Sequence, residues 1–530
     1  VNADSYYEEL IGCLLRGEAC TKDEIQRLKT ALCKKYRMDV LPSNAEVLAH
    51  ASEEDMDFLE PLLRKKPVRT ISGVAVVAVM TSPHDCPHGK CAYCPGGTER
   101  GTAQSYTGKE PAALRAAQHG FDPYAQVQAR LRQLERNGHP TDKVDLIIMG
   151  GTFTARDPEY QKSFVTRCFD AMNGSESGDL IRAQEANETA GNRCIGLTLE
   201  TRPDYFFEPQ VDAALALGAT RVELGVQTLN DRTLSMMKRG HGSRETAKAS
   251  RIARDAGLKV GYHMMPGLPG ETPMSDLATF ERLFSDEDFK PDMLKIYPTL
   301  VIGGTELHGL WKSGEYQSYP QDVLVKLLAD IKGILPKWVR VQRIQRDIPV
   351  QLIDSGGKQS HLRELAQWEL EARGKKCRCI RCREAGHNYL KGREAGELSM
   401  LVEEYTAAGG KEYFVSFEDE GTDILAGFAR LRIPSNTAHR PEMAKSAIIR
   451  ELRTVSQLLP LSMRGDDSWQ HRGLGESLVG RCTELASENG LERLLVMSGV
   501  GAREYYRKLG FERVGPYMGR TIARSASGNV

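Results

Sequence analysis

Six short apolar runs rich in branched residues recur along the chain: VAVVAVMT (74–81), VDLIIMGG (144–151), CIGLTLETRP (194–203), RVELGVQT (221–228), KVGYHMMPGLPG (259–270) and MLKIYPT (293–299). Helix-like stretches lie between them. Strands alternating with helices dictate a parallel sheet, because parallel neighbours need long crossovers, and six units read as a full or partial β/α barrel. Functional side chains of such barrels gather where strands end. Here polar or glycine-rich groups follow nearly every run: a cysteine loop after the first, then Gly150–Gly151–Thr152, Glu200–Thr201–Arg202, Gln227 and His263, with Lys295 inside the sixth. Packing alone does not call for a set of polar residues at one rim.

The loop after the first run reads HDCPHGKCAYCPGG (84–97) and carries Cys86, Cys91 and Cys94. Three thiolates can hold three irons of a [4Fe–4S] cluster and leave the fourth open. The amino and carboxylate groups of S-adenosylmethionine suit that open iron as a chelating pair, and reduction of the sulfonium then yields a carbon radical. Gly150, Gly151, Glu200 and Gln227, at the same rim, are the candidate contacts of that cofactor. The alternative is a structural zinc completed by His84 or His88. The gaps of four and two residues between the cysteines depart from the three-then-two spacing usual in the radical-SAM superfamily.

Apolar residues at helical spacing in LIGCLLRG, DEIQRLKTALCKKYR and EEDMDFLEPLLRKK make residues 1–70 a helical N-terminal extension. The barrel is expected over 71–350, with polar residues 154–193 as an exposed connection. A linker over 351–395 contains Cys377, Cys379 and Cys382 within RGKKCRCIRCREAGH (373–387). Zinc is the expected occupant, with His387 the nearest fourth ligand and His361 or a more distant residue as alternatives. An unliganded basic loop is the other reading. Residues 396–530 form a smaller unit of mixed strands and helices: strands at 412–419, 424–433, 447–455 and 491–499, and a helix from about 474.

No apolar run approaches the ~18 residues of a membrane span, and the N-terminus VNADSYYEELIGCLL lacks the pattern of a signal peptide. Six of the twelve cysteines fall in two tight clusters, which suits ligands in a reducing compartment, so a cytoplasmic location without membrane partners is expected. Formal net charge is zero, so nucleic-acid binding would come from local patches. Candidates are Lys65, Lys66 and Arg69, and the linker's Arg373, Lys375, Lys376, Arg378, Arg381 and Arg383.

QHRGLG (470–475) opens the helix near 474 and could cradle a phosphate on free N–H groups. With AIIRELRTV upstream and LLVMSGVGAREYYRKLGF (494–511) downstream, it resembles the GNAT N-acetyltransferase fold. CPGG (94–97), QSYTGKEPAALRA (104–116), MGGTF (149–153), LETRPD (199–204), ELGVQT (223–228) and SGVGAREYYRKLGF (498–511) together resemble the family of the Elongator catalytic subunit. That resemblance implies carboxymethylation of the wobble uridine of tRNA from acetyl-CoA, with the anticodon region and other Elongator subunits as partners. It assigns Cys86, Cys91 and Cys94 to the cluster, and gives acetyl-CoA contacts at Lys143, Glu451, Leu452, Arg453, Thr454, Leu474, Gly475, Glu476 and Tyr506. Lys143 and Tyr506 are its candidate catalytic residues; Tyr505 either shares that role or merely packs. The chain reads ELRT at 451–454 where eukaryotic members read ELHV. Two other functions remain to be weighed, a protein lysine acetyltransferase and a tRNA-binding scaffold without chemistry, and three intact rim cysteines argue against both.

Overall fold

The computed structural model describes residues 3–38, 40–64, 70–454 and 473–523. Seven parallel strands follow one another in sequence order: β1 (Ala75–Met80), β2 (Lys143–Met149), β3 (Arg193–Thr201), β4 (Arg221–Gln227), β5 (Lys259–Met264), β6 (Met293–Ile296) and, past the two-residue β7 (Val301–Ile302), β8 (Arg340–Ile344). β1 and β8 are not paired with each other, so the barrel is partial. Each of the six expected runs contains its strand. β8 is an addition, its run RVQRI holding only Val341 and Ile344 as apolar residues.

Alternation sorts the side chains of these strands. On β4, Val222, Leu224 and Val226 are buried in the core beneath the crossover helices, whereas Glu223, Gly225 and Gln227 face the interior pocket. Both faces are therefore covered, as parallel sheets require.

The segment expected as an exposed connection is instead helical. Helices Pro158–Asn173 and Leu180–Asn187 pack beside β3, burying Leu180, Ala183 and Asn187 at helical spacing. Asn187 is fully buried because its amide serves the backbone, accepting from Cys194 N–H at 2.7 Å and donating to Asn192 at 3.1 Å. The polar composition there belongs to a structural network, not to solvent exposure.

The N-terminal helices Ala3–Leu15, Lys22–Tyr36, Asn44–Ala49 and Met56–Leu63 enclose a core of their own around Tyr6, Leu10, Leu14 and Leu59. Thr21 and Ser43 begin two of them with capping boxes to Glu24 and Glu46. Lys65, Lys66 and Arg69 lie outside the described residues.

The C-terminal sheet runs β10 (Ser399–Ala407), β11 (Gly410–Asp419), β12 (Ile424–Ile433), β13 (Ser446–Thr454), β14 (Arg493–Val496), β16 (Tyr517–Thr521), β15 (Glu512–Val514), with β9 (Ile353–Ser355) pairing β7 in a separate ribbon. It packs on the N-terminal edge of the barrel. Gly257, at φ +84°, lies so close to Ile448 that a Cβ there would meet its side chain at 2.3 Å. Around this contact Arg254, Arg430 and Arg450 surround the buried Asp292, while Glu412 takes Arg254, Arg432 and Arg450. Burial would raise the Asp292 pKa, but these arginines hold it far below the usual carboxylate range. Among the described residues no helix is long and apolar enough to cross a membrane.

Candidate active site

The cysteine loop follows β1 and stands at the C-terminal rim of the barrel. Cys86 lies 3.4 Å from Thr152 Oγ1, Cys91 is 3.1 Å from His88 Nε2, and the Ser105 N–H donates to Cys94 Sγ at 3.2 Å. Burial pushes the Cys86 and Cys94 thiols up, which disfavours free thiolates in an empty loop. Against that, the buried Arg239 guanidinium donates toward Cys91 at 3.6 Å and so offsets anionic sulfur. Among the described residues the three sulfurs do not all fall within 4.8 Å of one another. A tetrahedral zinc, at ~2.3 Å per sulfur, would draw them closer than that. A wide, arginine-backed thiol set fits a polynuclear cluster better than a single ion.

The rim residues singled out in the sequence converge on one pocket with this loop: Gly151, Glu200, Gln227, His263 and Lys295 line it beside Cys86. Gly150 turns the chain at φ +140° against β1, where a Cβ would meet Thr81 Oγ1 at 2.0 Å. Gln227 ends β4 in the left-handed region, φ 72°, and its carbonyl accepts the Met265 N–H at 2.7 Å. Sequence reasoning missed Glu223, Tyr106 and Arg239. Glu223 was signalled by the alternation in RVELGVQ, where the polar residues share one face; Arg239 carried no such sign.

The acetyl-CoA candidates lie at the other end of the strands. β13 pairs with β14 only over Ser446–Ile449, so from Arg450 onward the strands splay. Glu451, Leu452, Arg453 and Thr454 pair with β12 on one side and face the splay on the other. Helix Leu474–Glu488 begins after Gly473 with no side-chain cap, and among the described residues none takes the first-turn N–H groups of Leu474, Gly475 and Glu476, which could meet an anion. Gln470, His471 and Arg472 lie outside the described residues. Tyr505 is 41% exposed and its hydroxyl sits over Gly475; the Tyr506 ring is buried, edge-on to Tyr505 and Phe511. Glu451 is buried against Arg430 at 2.8 Å, and Arg453 reaches Glu384 at 3.2 Å, so both side chains serve structure and the main chain is what faces the splay. Lys143 opens β2 on the barrel edge facing this domain, half-exposed and 3.8 Å from Asp142.

In the linker, Cys377, Cys379 and Cys382 place their sulfurs within 4.8 Å of one another, the spacing of a single ion. His387 is not in that group. Its helix, Ala385–Tyr389, holds it near Arg381 and Glu384, where burial and then the Arg381 charge push its pKa down to about 4. The basic run divides. Arg383 is buried on Glu418 and on Asp423 at 2.8 Å, Arg373 pairs with Asp330 and Glu369 at 2.6 Å, and Arg381 donates to the Gln342 carbonyl. Lys375, Lys376 and Arg378 are exposed.

Four family models match successive parts of the chain. The ELP3 N-terminal domain matches residues 4–71, the Radical SAM superfamily 80–283, the Radical SAM C-terminal domain 291–372 and the GNAT acetyltransferase family 382–511. A tRNA uridine(34) acetyltransferase of Methanocaldococcus jannaschii is 50% identical over 516 residues, spanning 96% of this chain and 95% of the relative. Elongator complex protein 3 of Drosophila melanogaster is 41% identical over 529 residues, spanning 97% and 95%. The structure of an archaeal Elp3 from Methanocaldococcus infernus, lacking its N-terminus, superposes with a TM-score of 0.75 at 46% identity, covering 85% of this chain and all of that one.

Proposed function

The chain belongs to the family of tRNA uridine(34) acetyltransferases and Elongator complex protein 3, and from that premise we propose that it joins the acetyl carbons of acetyl-CoA to C5 of the wobble uridine of tRNA. The observation that carries this reading is the pairing of a three-cysteine rim pocket with an acetyltransferase splay, locked together by buried ion pairs.

When bound, the iron–sulfur cluster and S-adenosylmethionine supply a carbon radical able to take hydrogen from a methyl group. The chain's own residues bind and orient. Cys86, Cys91 and Cys94 hold the cluster, with Arg239 and the Ser105 amide balancing sulfur charge. The main chain of Glu451–Thr454 carries the pantetheine as a strand would, and the first turn after Gly473 takes the pyrophosphate. Tyr505, over that turn, and Tyr506, behind it, bound the thioester. Cys377, Cys379 and Cys382 would hold a zinc that fixes the linker. Exposed Lys375, Lys376 and Arg378 meet tRNA phosphates. Twelve free cysteines suit the cytoplasm, and Elongator-type subunits are candidate partners.

The reading is tested by release of free CoA with and without tRNA. Release is expected to require tRNA, and Tyr505→Phe and Tyr506→Phe to lower it. Equal release without tRNA would point to simple acetyl transfer or hydrolysis.

A further inference from the structure

Beneath the cysteine loop, four charged or ionisable side chains from four consecutive strands meet inside the barrel. Glu200 and Glu223 face each other in register across β3 and β4, and His263 and Lys295 do so across β5 and β6. Two carboxylates directly opposite repel each other unless something lies between them. Here Lys295 does: its ammonium bonds Glu223 and lies 3.3 Å from Glu200. The Glu200, Glu223 and His263 atoms cluster as metal ligands do, but the ammonium already supplies their cation. His263 Nε2 lies 3.0 Å from Glu223 Oε2, and the Tyr106 hydroxyl donates to Glu200 at 2.6 Å.

The geometry leaves two hydrogen-bonding positions open. An ammonium has three hydrogens, of which Glu223 and Glu200 take two. Burial acts to raise the pKa of Glu223, but Lys295, His263 and Arg221 hold it well below its ordinary value. An ionised carboxylate only accepts, so His263 Nε2 is the donor of that 3.0 Å bond, and in the Nε2–H tautomer Nδ1 carries a lone pair. One donor and one acceptor thus stand side by side on adjacent strands. Around them are flat groups suited to a base: the Tyr297 ring meets His263 edge-on at 5.4 Å, and the Arg346 guanidinium lies 5.5 Å from Tyr106 and 5.9 Å from Tyr297. Unstacked bases are commonly held between aromatic and guanidinium planes and read on their Watson–Crick edge.

We infer that His263 and Lys295, fixed by Glu223 and Glu200, read the imide edge of uracil. Nδ1 accepts the N3–H, and the third ammonium hydrogen goes to a flanking carbonyl oxygen. Cytosine presents a lone pair at N3, which would face the lone pair of Nδ1. Discrimination for uridine follows from that mismatch. His263 and Lys295 are thus specificity-determining residues, and Glu223 is a positioning residue acting through them. This inference rests on tRNA uridine being the substrate.

The test measures binding of anticodon stem-loop RNAs to the full-length, cluster-loaded protein with S-adenosylmethionine. The RNAs differ only at the wobble base: uridine, 3-methyluridine, which lacks the N3–H, or cytidine. A site built to bond an N–H rejects analogues lacking it, so wild type is expected to bind the uridine loop about tenfold or more tighter than either analogue. This arm needs no variant. Lys295→Met and His263→Phe are expected to bind the three loops alike, the residual affinity coming from phosphates. Equal binding of the three loops by wild type overturns the inference while leaving the proposed function standing. So does retained discrimination in Lys295→Met with weakened S-adenosylmethionine binding, which would assign the lysine to the cofactor. Failure of wild type to bind any loop overturns both readings.

Discussion

Arg450 and Asp292 are joined by two 2.7 Å hydrogen bonds across the seam between the C-terminal sheet and the barrel, and both side chains are fully buried. Arg450 is itself the first β13 residue past the pairing with β14, and Glu451 follows it into the splay. The seam and the strand proposed to carry acetyl-CoA are therefore one continuous element. In the proposed function, the position of the thioester would depend on this buried ion pair.

Removing the carboxylate leaves Arg254, Arg430 and Arg450 short of a counter-charge inside the protein. Asp292→Ala is expected to destabilise the chain by about 3–5 kcal/mol, the usual cost of breaking a buried pair from one side. Asp286→Ala, at the partly exposed Arg282–Asp286 pair, should cost less than about 1 kcal/mol. Thermal unfolding of the two variants gives the comparison. Similar losses would show that the seam is held by apolar contact alone.

The two cysteine triads should separate by metal. Cys91→Ser is expected to abolish the visible absorbance of an iron–sulfur cluster and leave zinc content unchanged, while Cys379→Ser does the reverse. Metal analysis of protein reconstituted without oxygen, beside its absorbance spectrum, decides it. Zinc alone at the rim loop would remove the radical reading.

Much of this arrangement was legible from residue order. Strand–helix alternation gave six barrel strands, because branched apolar runs bounded by glycine and polar residues have few other uses. The rim set converged since the C-terminal ends of parallel strands share one edge. Two features were hidden. The helices Pro158–Asn173 and Leu180–Asn187 looked like loop because Asn187, Gln184 and Glu188 spend their polar groups on backbone and on Arg503 and Arg507. Composition cannot tell a buried amide from a solvated one. Likewise, the linker arginines read as a single basic patch, although acceptors distant in sequence, Asp330, Glu418 and Asp423, claim part of it.

That division changes which linker residues should meet RNA. Lys375→Glu together with Lys376→Glu is expected to weaken tRNA binding and flatten its dependence on salt, by about 0.7–0.9 in the log–log slope for each phosphate no longer neutralised. Arg383→Glu should destabilise the protein instead, since it puts a carboxylate against Glu418 and Asp423. Binding isotherms at several salt concentrations, with unfolding temperatures, separate the two effects. An unchanged slope for the lysine pair would make that surface a solvated face.

The fate of the acetyl carbon is the most direct measurement. Acetyl-CoA labelled in its methyl carbon, incubated without oxygen with protein, S-adenosylmethionine, a reductant and tRNA, is expected to leave label on the base of uridine 34. The label should be bonded to carbon C5, and Cys91→Ser should abolish it. Label recovered as an acetyl group on protein lysine, or incorporation into tRNA that persists in Cys91→Ser, would contradict a reaction shared between the barrel and the acetyltransferase sheet.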